Sequence, residues 1–337
     1  MTSWTPSIYG RWFVAARADR LHGKPLAVTV LDRPLVIARM ADGTVCAFED
    51  RCPHRQVPLS GGSIVAEGLR CPYHGWVFDA GGRCVKVPGL SADACLPAAG
   101  ARPVTVQVVD GLVWVRLAAG DAAPPRMITE LEAGSRRFLE QMRWDANVVD
   151  AIENFLDPLH THLIHPGLVR KDGVRRAMQV AASSTDEGFM IDYQGQEVQS
   201  GLLYRLFESP RSSERAHFAG AGAAQIEYRY QNGSVVRIIL YFTPESATST
   251  HVFTSMHVEQ RWAPAWALRC FVWPFLRKVA QQDKAILEAQ SANLQRFAPQ
   301  RGVSTGLDLV RKRLEQIWEP ERAASPPPEP ERITIML

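Results

Sequence analysis

The chain has 337 residues, 46% hydrophobic and 22% charged, which is the composition of a soluble globular protein long enough for two domains. A formal charge of only +3 excludes the dense basic surface of a nucleic-acid-binding domain. Six scattered cysteines argue against a disulfide framework and point to metal or redox work.

The N-terminal segment MTSWTPSIYGRWF lacks the basic start and apolar run of a secretory signal, so a cytoplasmic protein is expected. From there the first third reads as β structure. LAVTVLDRPLVIARM, TVCAFED, RCVKVPG and VTVQVVDGLVWVRL are rich in β-branched residues, and Asp42-Gly43, Gly81-Gly82 and Asp110-Gly111 fall between runs as hairpin turns. Short strands this closely spaced imply a small antiparallel barrel or sandwich.

Two loops within this region carry ligand chemistry. RCPHR at 51–55 and RCPYHGW at 70–76 give Cys52-x-His54, sixteen residues, then Cys71-x-x-His74. At the chain's own Cys and His frequencies such an arrangement arises by chance on the order of 10⁻⁴ of the time. Each loop offers one thiolate and one imidazole, and Pro53, Pro72 and Gly75 suit tight turns. A single Zn²⁺ accepts such a set tetrahedrally. A [2Fe-2S] cluster accepts it with both Cys on one iron and both His on the other. A zinc finger pairs like ligands and follows them with a helix, whereas here each loop mixes one of each among strands. Cys46, Cys84, Cys95 and Cys270 have no ligand spacing and are expected to be small buried apolar residues.

Composition shifts at AAGDAAPPRM, residues 118–127, where Ala, Gly and Pro replace the strand pattern. The expected organisation is a first domain over 1–120, a second over 121–318 and a tail over 319–337. A helix suits 129–142 and the segment NFLDPLHTHLIHP at 154–166. At 100° per residue Asn154, Asp157 and His160 share one stripe, and His165 returns within about 20° of Asn154. His162 falls on the far side and reads as structural. Pro158 must interrupt the helix or begin a new one with Asp157 as its N-cap. An H-x4-H pair spans about 140° on a straight helix, so both imidazoles meet one ion only if the helix bends or the side chains reach around. Taken alone, Asp157 reads as a cap and the histidines as core residues.

RKDGVRR at 170–176 reads as a solvated loop or a docking patch. Strands are expected at GFMIDYQ, AAQIEYRYQNGSVVRIILYFT and STHVFTSMHVEQ, with Asn232-Gly233 as a hairpin turn. Tyr204, Phe207 and Phe253 are expected to shape a pocket. GAGAAQ at 220–225 lacks the last Gly of a dinucleotide fingerprint and precedes strands, so no nicotinamide site is expected. A long helix fits 264–297 with a kink at Pro274. The most apolar stretch, from Ala263, is broken by Arg269, Pro274 and Arg277, so no membrane crossing is expected. EPERAASPPPEPER, from Glu319, reads as an extended linker before ITIML, itself a flexible end or a packed strand.

The pattern C-x-H…C-x-x-H within CPHR and CPYHGW, followed by NFLDPLHTHLIHP, resembles the Rieske non-haem iron oxygenases in their oxygenase (α) component. The resemblance runs from YGRWFVAA to about Phe297, and the loops lack the extra cysteines of respiratory-type Rieske proteins. It implies an α+β architecture: an N-terminal antiparallel β Rieske domain, then a catalytic domain with an antiparallel sheet surrounded by helices. It implies a [2Fe-2S] cluster on Cys52, His54, Cys71 and His74, and a mononuclear Fe(II) on His160 and His165 of a D-x2-H-x4-H motif. By the same resemblance the third ligand is Asp283, seven residues before Gln290 in QQDKAILEAQ, with Glu288 as the fallback. Asp157 would bridge His74 of a neighbouring subunit to His160 in a trimer, and Asn154 would lie beside the iron. Chain length resembles monooxygenases of the vanillate O-demethylase type. These hydroxylate or O-/N-demethylate a small aromatic substrate with O2. A separate NAD(P)H-dependent reductase is implied, since no plant-type ferredoxin cysteine set occurs. The alternatives are ring dihydroxylation and an electron-transfer protein with a non-catalytic second domain.

Overall fold

In the computed structural model the β-branched runs of the first third become strands, after a four-residue helix α1 (Pro6–Tyr9). These are β1 (Trp12–Arg17), β2 (Leu26–Val30), β3 (Arg33–Arg39), β4 (Val45–Glu49), β5 (Ser63–Val65), β6 (Gly68–Arg70), β7 (Val77–Phe78), β8 (Cys84–Lys86), β9 (Pro103–Val109) and β10 (Leu112–Arg116). The structure describes residues 4–91, 93–120, 123–126, 128, 136–171, 173, 175–195, 209–220, 222–259, 266, 268–297, 302–320 and 331–337. Residues 1–126 and 243–246 form one unit, and the rest of the chain forms another.

In the first unit six strands make an antiparallel sheet in the order β1-β10-β9-β4-β3-β2, and four make a smaller one, β5-β6-β7-β8. Asp110 and Gly111, at φ 53° and 68°, close β9 onto β10 with the left-handed pair that a two-residue hairpin requires. Val36, Phe48, Leu69 and Phe78 pack in one core with Cys52 and Cys71, so the motif loops are anchored by their cysteines.

The second unit is built on one antiparallel sheet, in the order β11-β17-β16-β15-β14-β13-β12-β18. Its strands are β11 (Arg136–Trp144), β12 (Ala177–Thr185), β13 (Gly188–Gln194), β14 (Arg211–Ala219), β15 (Ala223–Tyr230), β16 (Val235–Ser246), β17 (Ser249–Glu259) and β18 (Glu331–Met336). Helices α2 (Val148–Leu156), α3 (Thr161–Ile164), α4 (Trp273–Leu294) and α5 (Leu309–Trp318) pack around it. Asn147 caps α2 by accepting from the Val149 N–H at 2.8 Å, a bond worth about 1 kcal/mol. Val148, Val149, Ala151, Ile152 and Leu156 bury one face of α2, and Arg311 of α5 pairs with Asp150 and Glu153 on another. The expected α+β class, with two antiparallel β regions, is borne out. Among the described residues no helix is long and apolar enough to cross a membrane.

Several local expectations are corrected. Residues 136–142, the described part of the helix expected over 129–142, form most of β11 instead, because all nine of its residues pair with β17 and outweigh the helix propensity of RRFLEQMRW; residues 129–135 lie outside the described set. Pro274 does not kink a long helix. It sits in the first turn of α4, where its missing N–H costs nothing, after a π-helical turn at Leu268–Val272. ITIML is not a flexible end: β18 pairs with β12 from Ala182↔Glu331 to Ala177↔Met336, while residues 321–330 of the expected linker lie outside the described set. Cys46 and Cys84 are buried as expected, but Cys95 and Cys270 are exposed. Arg170 is buried rather than solvated.

Candidate metal centres

The loop after β4 carries Cys52 and His54, and the loop between β6 and β7 carries Cys71 and His74. The Cys52 N–H donates to Val57 O at 2.9 Å, the Gln56 N–H to Cys52 O at 2.9 Å, and the Cys71 N–H to Trp76 O at 2.8 Å. A Cβ on Gly62 would meet Arg70 O at 2.2 Å, so the first loop closes directly onto β6 with no room for a side chain. The sulfurs point inward, with Cys52 and Cys71 at 1% and 3% exposure, whereas His54 is half-buried and His74 exposed. The two imidazole centroids lie 4.6 Å apart, and Trp76 stacks on His54 at 4.7 Å. Burial, and the neighbouring Cys71, push the Cys52 thiol up to about 11, so a bound metal is what would hold it as thiolate near neutral pH.

Around one tetrahedral zinc the donor atoms lie about 3.3–3.8 Å apart. Among the described residues only His160, His165 and Asp283 bring three donor atoms within 4.8 Å of one another. At Cys52, His54, Cys71 and His74 the two sulfurs share the core and the two imidazoles lie together nearer the surface, a segregation that fits two irons with sulfurs on one and imidazoles on the other.

The second constellation solves the 140° problem by breaking the helix. α2 ends at Leu156, and Asp157 is its C-cap, not the N-cap of the next helix, at φ −88° and ψ 115°. The Asp157 Oδ1 accepts from the Leu159 N–H at 3.0 Å, forming a turn around Pro158. His160 and His165 then flank the one-turn α3, their ring centroids 5.4 Å apart and nearly perpendicular at 79°. Asp283 comes from α4. Its Oδ1 lies 3.0 Å from His165 Nε2 and 3.4 Å from His160 Nε2. Yet His165 Nε2 and Asp283 Oδ1 are buried without a hydrogen-bond partner, the arrangement of donor atoms turned toward a shared centre. The residues therefore fit a metal ion.

The surroundings tune this set. Burial raises the Asp283 carboxyl, but the two imidazoles outweigh it and hold the group below its usual range. Burial lowers His165, and Asp283 with Gln282 outweighs that in turn, so its pKa is raised. Since an amide oxygen only accepts, the His165 Nδ1–H donates to Gln282 Oε1 at 3.0 Å and leaves the Nε2 lone pair for a metal. Glu288 is occupied elsewhere, accepting from Lys284 Nζ at 2.5 Å and the Asp145 N–H at 3.2 Å. His162 is buried and donates to Lys171 O at 3.2 Å, outside the constellation. Asn154 Oδ1 and His160 Nδ1 are buried without a hydrogen-bond partner. Asp157 lies close enough to His160 to feel its charge, but makes no hydrogen bond to that Nδ1.

Two family matches cover most of the chain: a Rieske [2Fe-2S] domain over residues 11–106 and a vanillate O-demethylase oxygenase C-terminal domain over residues 144–320. The chain belongs to the Rieske non-haem iron oxygenases. It is 35% identical over 176 residues to the oxygenase component of dicamba O-demethylase from Stenotrophomonas maltophilia, a stretch covering 49% of this chain and 50% of that one. It is 36% identical over 146 residues to methylxanthine N1-demethylase NdmA from Pseudomonas putida, covering 42% and 41%. The matched stretches thus span about half the length of these relatives or less. The solved structure of Pseudomonas putida CBB5 NdmA with caffeine superposes with a TM-score of 0.77 at 24% identity, covering 91% of this chain and 89% of that one, a likeness of fold.

In this Rieske oxygenase chain one cavity of about 200 Å³ is lined by Asn154, Asp157, His160, His165 and Asp283. Phe155, Ile226, Val236, Ile238, Met256 and Leu276 supply apolar walls, and Arg170, Arg211, Glu214, Tyr228 and Tyr230 supply polar ones. Phe253, expected to shape the pocket, is buried but absent from the lining: strand alternation puts it opposite Met256 and Val258. Tyr204 and Phe207 lie outside the described residues. Sequence reasoning missed Gln282, Arg170 and Glu214. Gln282 was findable as the neighbour of Asp283, but the other two sit on a loop and a strand whose facing is set only by the assembled sheet.

Proposed function

We propose that this chain is the terminal oxygenase of a multicomponent monooxygenase, acting in the cytoplasm. Cys52, His54, Cys71 and His74 hold the [2Fe-2S] cluster, and His160, His165 and Asp283 hold one Fe(II). Two imidazoles and a carboxylate on one face of an iron, with open positions opposite, are the donor set of O2-activating non-haem sites. The observation that carries this reading is the approach of those three donors to one another, unbonded, at the wall of a largely apolar cavity.

With iron held there, the centre supplies reductive activation of O2. Gln282 fixes the tautomer and orientation of His165. Asp283 stays ionised, contributing a negative charge to the site. The apolar walls exclude water and hold the organic substrate against the donors. Asp157 is the link through which a neighbouring subunit's His74 communicates with His160 in a homotrimer. Burial pushes the Asp157 carboxyl up, while the Leu159 N–H and the charges of His160 and Arg170 pull it back. Arg170 is kept in place by its bonds to Pro158 O and Thr161 Oγ1.

Electrons come from a separate NAD(P)H-dependent reductase, and the substrate is a small aromatic that is hydroxylated or O-/N-demethylated. The names of the relatives, dicamba O-demethylase and methylxanthine N1-demethylase, favour this over ring dihydroxylation. The second donor set favours it over an electron carrier. The test is formaldehyde release from methoxy- and N-methyl-aromatics with a surrogate reductase, alongside iron counting. Formaldehyde together with about three Fe per chain supports the reading. About two Fe per chain and no oxidation of any substrate would leave the carrier.

A further inference from the structure

The cavity volume of about 200 Å³ bears on substrate size. An apolar cavity of about 150 Å³ admits benzene, so this one suits a single substituted ring. The charges in its lining bear on substrate class. Glu214 and Tyr228 face each other directly across β14 and β15. Arg211 Nη1 donates to Glu214 Oε2 at 2.8 Å, and its guanidinium carbon lies 3.7 Å from the centre of the Tyr228 ring. The Arg211 and Glu214 side chains are 6% and 7% exposed, so the pair is shut away from solvent. The guanidinium thus has its charge met by a carboxylate and a face covered by an aromatic ring.

The other guanidinium of the described lining, Arg170, is committed to Pro158 O and Thr161 Oγ1. Asp283 offsets part of the charge of an iron bound beside it, and an anionic substrate would otherwise leave water to meet Glu214 and Asp157, with both guanidinium groups of the described lining already engaged. A neutral substituent escapes that cost, and Tyr228 and Tyr230 bring hydroxyl groups that suit it.

We propose that the substrate is an uncharged single-ring molecule, and that Glu214 sets this specificity by holding Arg211 in a closed ion pair. The inference rests on the oxygenase reading, in which this cavity is the substrate site. It is tested by calorimetry with 4-methoxybenzamide and 4-methoxybenzoate, which are alike in size and differ in charge. The protein is the full chain with both iron centres loaded, anaerobic and without reductant.

The wild type is expected to bind the amide at least about tenfold more tightly than the carboxylate. Glu214→Gln leaves Arg211 beside a neutral group and is expected to shift the ratio toward the carboxylate by about tenfold or more. Should that variant fail to fold, Arg211→Met/Glu214→Leu, which buries no charge at this point, is expected to fold and keep the amide preference. Carboxylate binding as tight as amide binding in the wild type, or an unchanged ratio in a folded Glu214→Gln protein, overturns the proposal. Binding of neither ligand overturns the single-ring assignment. These readouts need no turnover, so bound amide that yields no formaldehyde with reductase and O2 counts against the oxygenase reading instead.

Discussion

Replacing Gln282 by Leu removes the acceptor for the His165 Nδ1–H while nearly preserving side-chain volume. His165 is 1% exposed, so water does not replace the lost acceptor. Leaving a buried donor unpaired costs about 1–3 kcal/mol. If the ring escapes that cost by changing tautomer or turning, Nε2 no longer offers its lone pair in the same place. Either way the penalty falls on metal binding, and loss of such an outer partner weakens metal affinity by about 10–100-fold. That range corresponds to about 1.4–2.8 kcal/mol, in agreement with the hydrogen-bond figure. The assay is anaerobic Fe(II) titration against a competing chelator, with the visible spectrum of the Rieske cluster as an internal control for the first unit. Gln282→Leu is expected to lower Fe(II) affinity by that factor with the cluster spectrum unchanged. Gln282→Glu offers a stronger acceptor and should bind Fe(II) at least as tightly as the wild type. Wild-type affinity in the Leu variant, or equal losses in both variants, would refute the assignment of Gln282 as the group that orients His165.

Three further outcomes follow from the same geometry. Asp157→Asn should leave both metal centres filled and lower turnover by about 100-fold or more, as loss of a charged link does; iron analysis with steady-state kinetics checks this, and near-normal turnover removes Asp157 from the proposed route. Burial raises the Glu153 carboxyl from 4.5 to about 7, with Arg311 opposing and Asp150 adding to the rise. Its folded-state value exceeds the unfolded one, so the folded state holds the extra proton between those values and loses stability as pH rises through that window. Glu153→Gln should therefore gain on the wild type between pH 5 and pH 8, on the order of 1–2 kcal/mol after solvent screening, read from urea midpoints. Deleting residues 331–337 removes β18 and the buried Ile335 and Leu337, which should cost about 3–6 kcal/mol and expose the edge of β12 to aggregation. An unchanged denaturation midpoint would show the strand to be dispensable.

Both donor sets were legible in the sequence because ligand chemistry demands particular residue types at short spacing. Cys52, His54, Cys71 and His74 sit on two tight loops, and His160 and His165 flank one turn of helix, so each half is a local pattern. Asp283 needed the resemblance, being more than a hundred residues downstream of the histidines. Less legible was anything decided by assembly. RRFLEQMRW has good helix formers, yet partner β17 draws it into the sheet, a competition that no local window contains. ITIML alternates Ile333 and Ile335, but six residues after a Pro-rich stretch give too short a period to distinguish a strand from a loose end. Cys95 and Cys270 show the limit of residue type as a guide to burial. The helix wheel placed Asn154 and Asp157 together correctly, and Pro158 interrupts the helix as expected, but Asp157 closes α2 rather than opening the next helix.

On the proposed reading one chain holds a two-iron cluster and a separate iron on two imidazoles and a carboxylate. Iron analysis of the wild type beside His160→Ala/His165→Ala, with the cluster's optical spectrum recorded on both, tests it most directly. About three Fe per chain in the wild type and about two in the variant, with matching spectra and O2-dependent turnover lost, is the predicted result. An equal iron content in the two proteins, or zinc in place of iron at either centre, would contradict it.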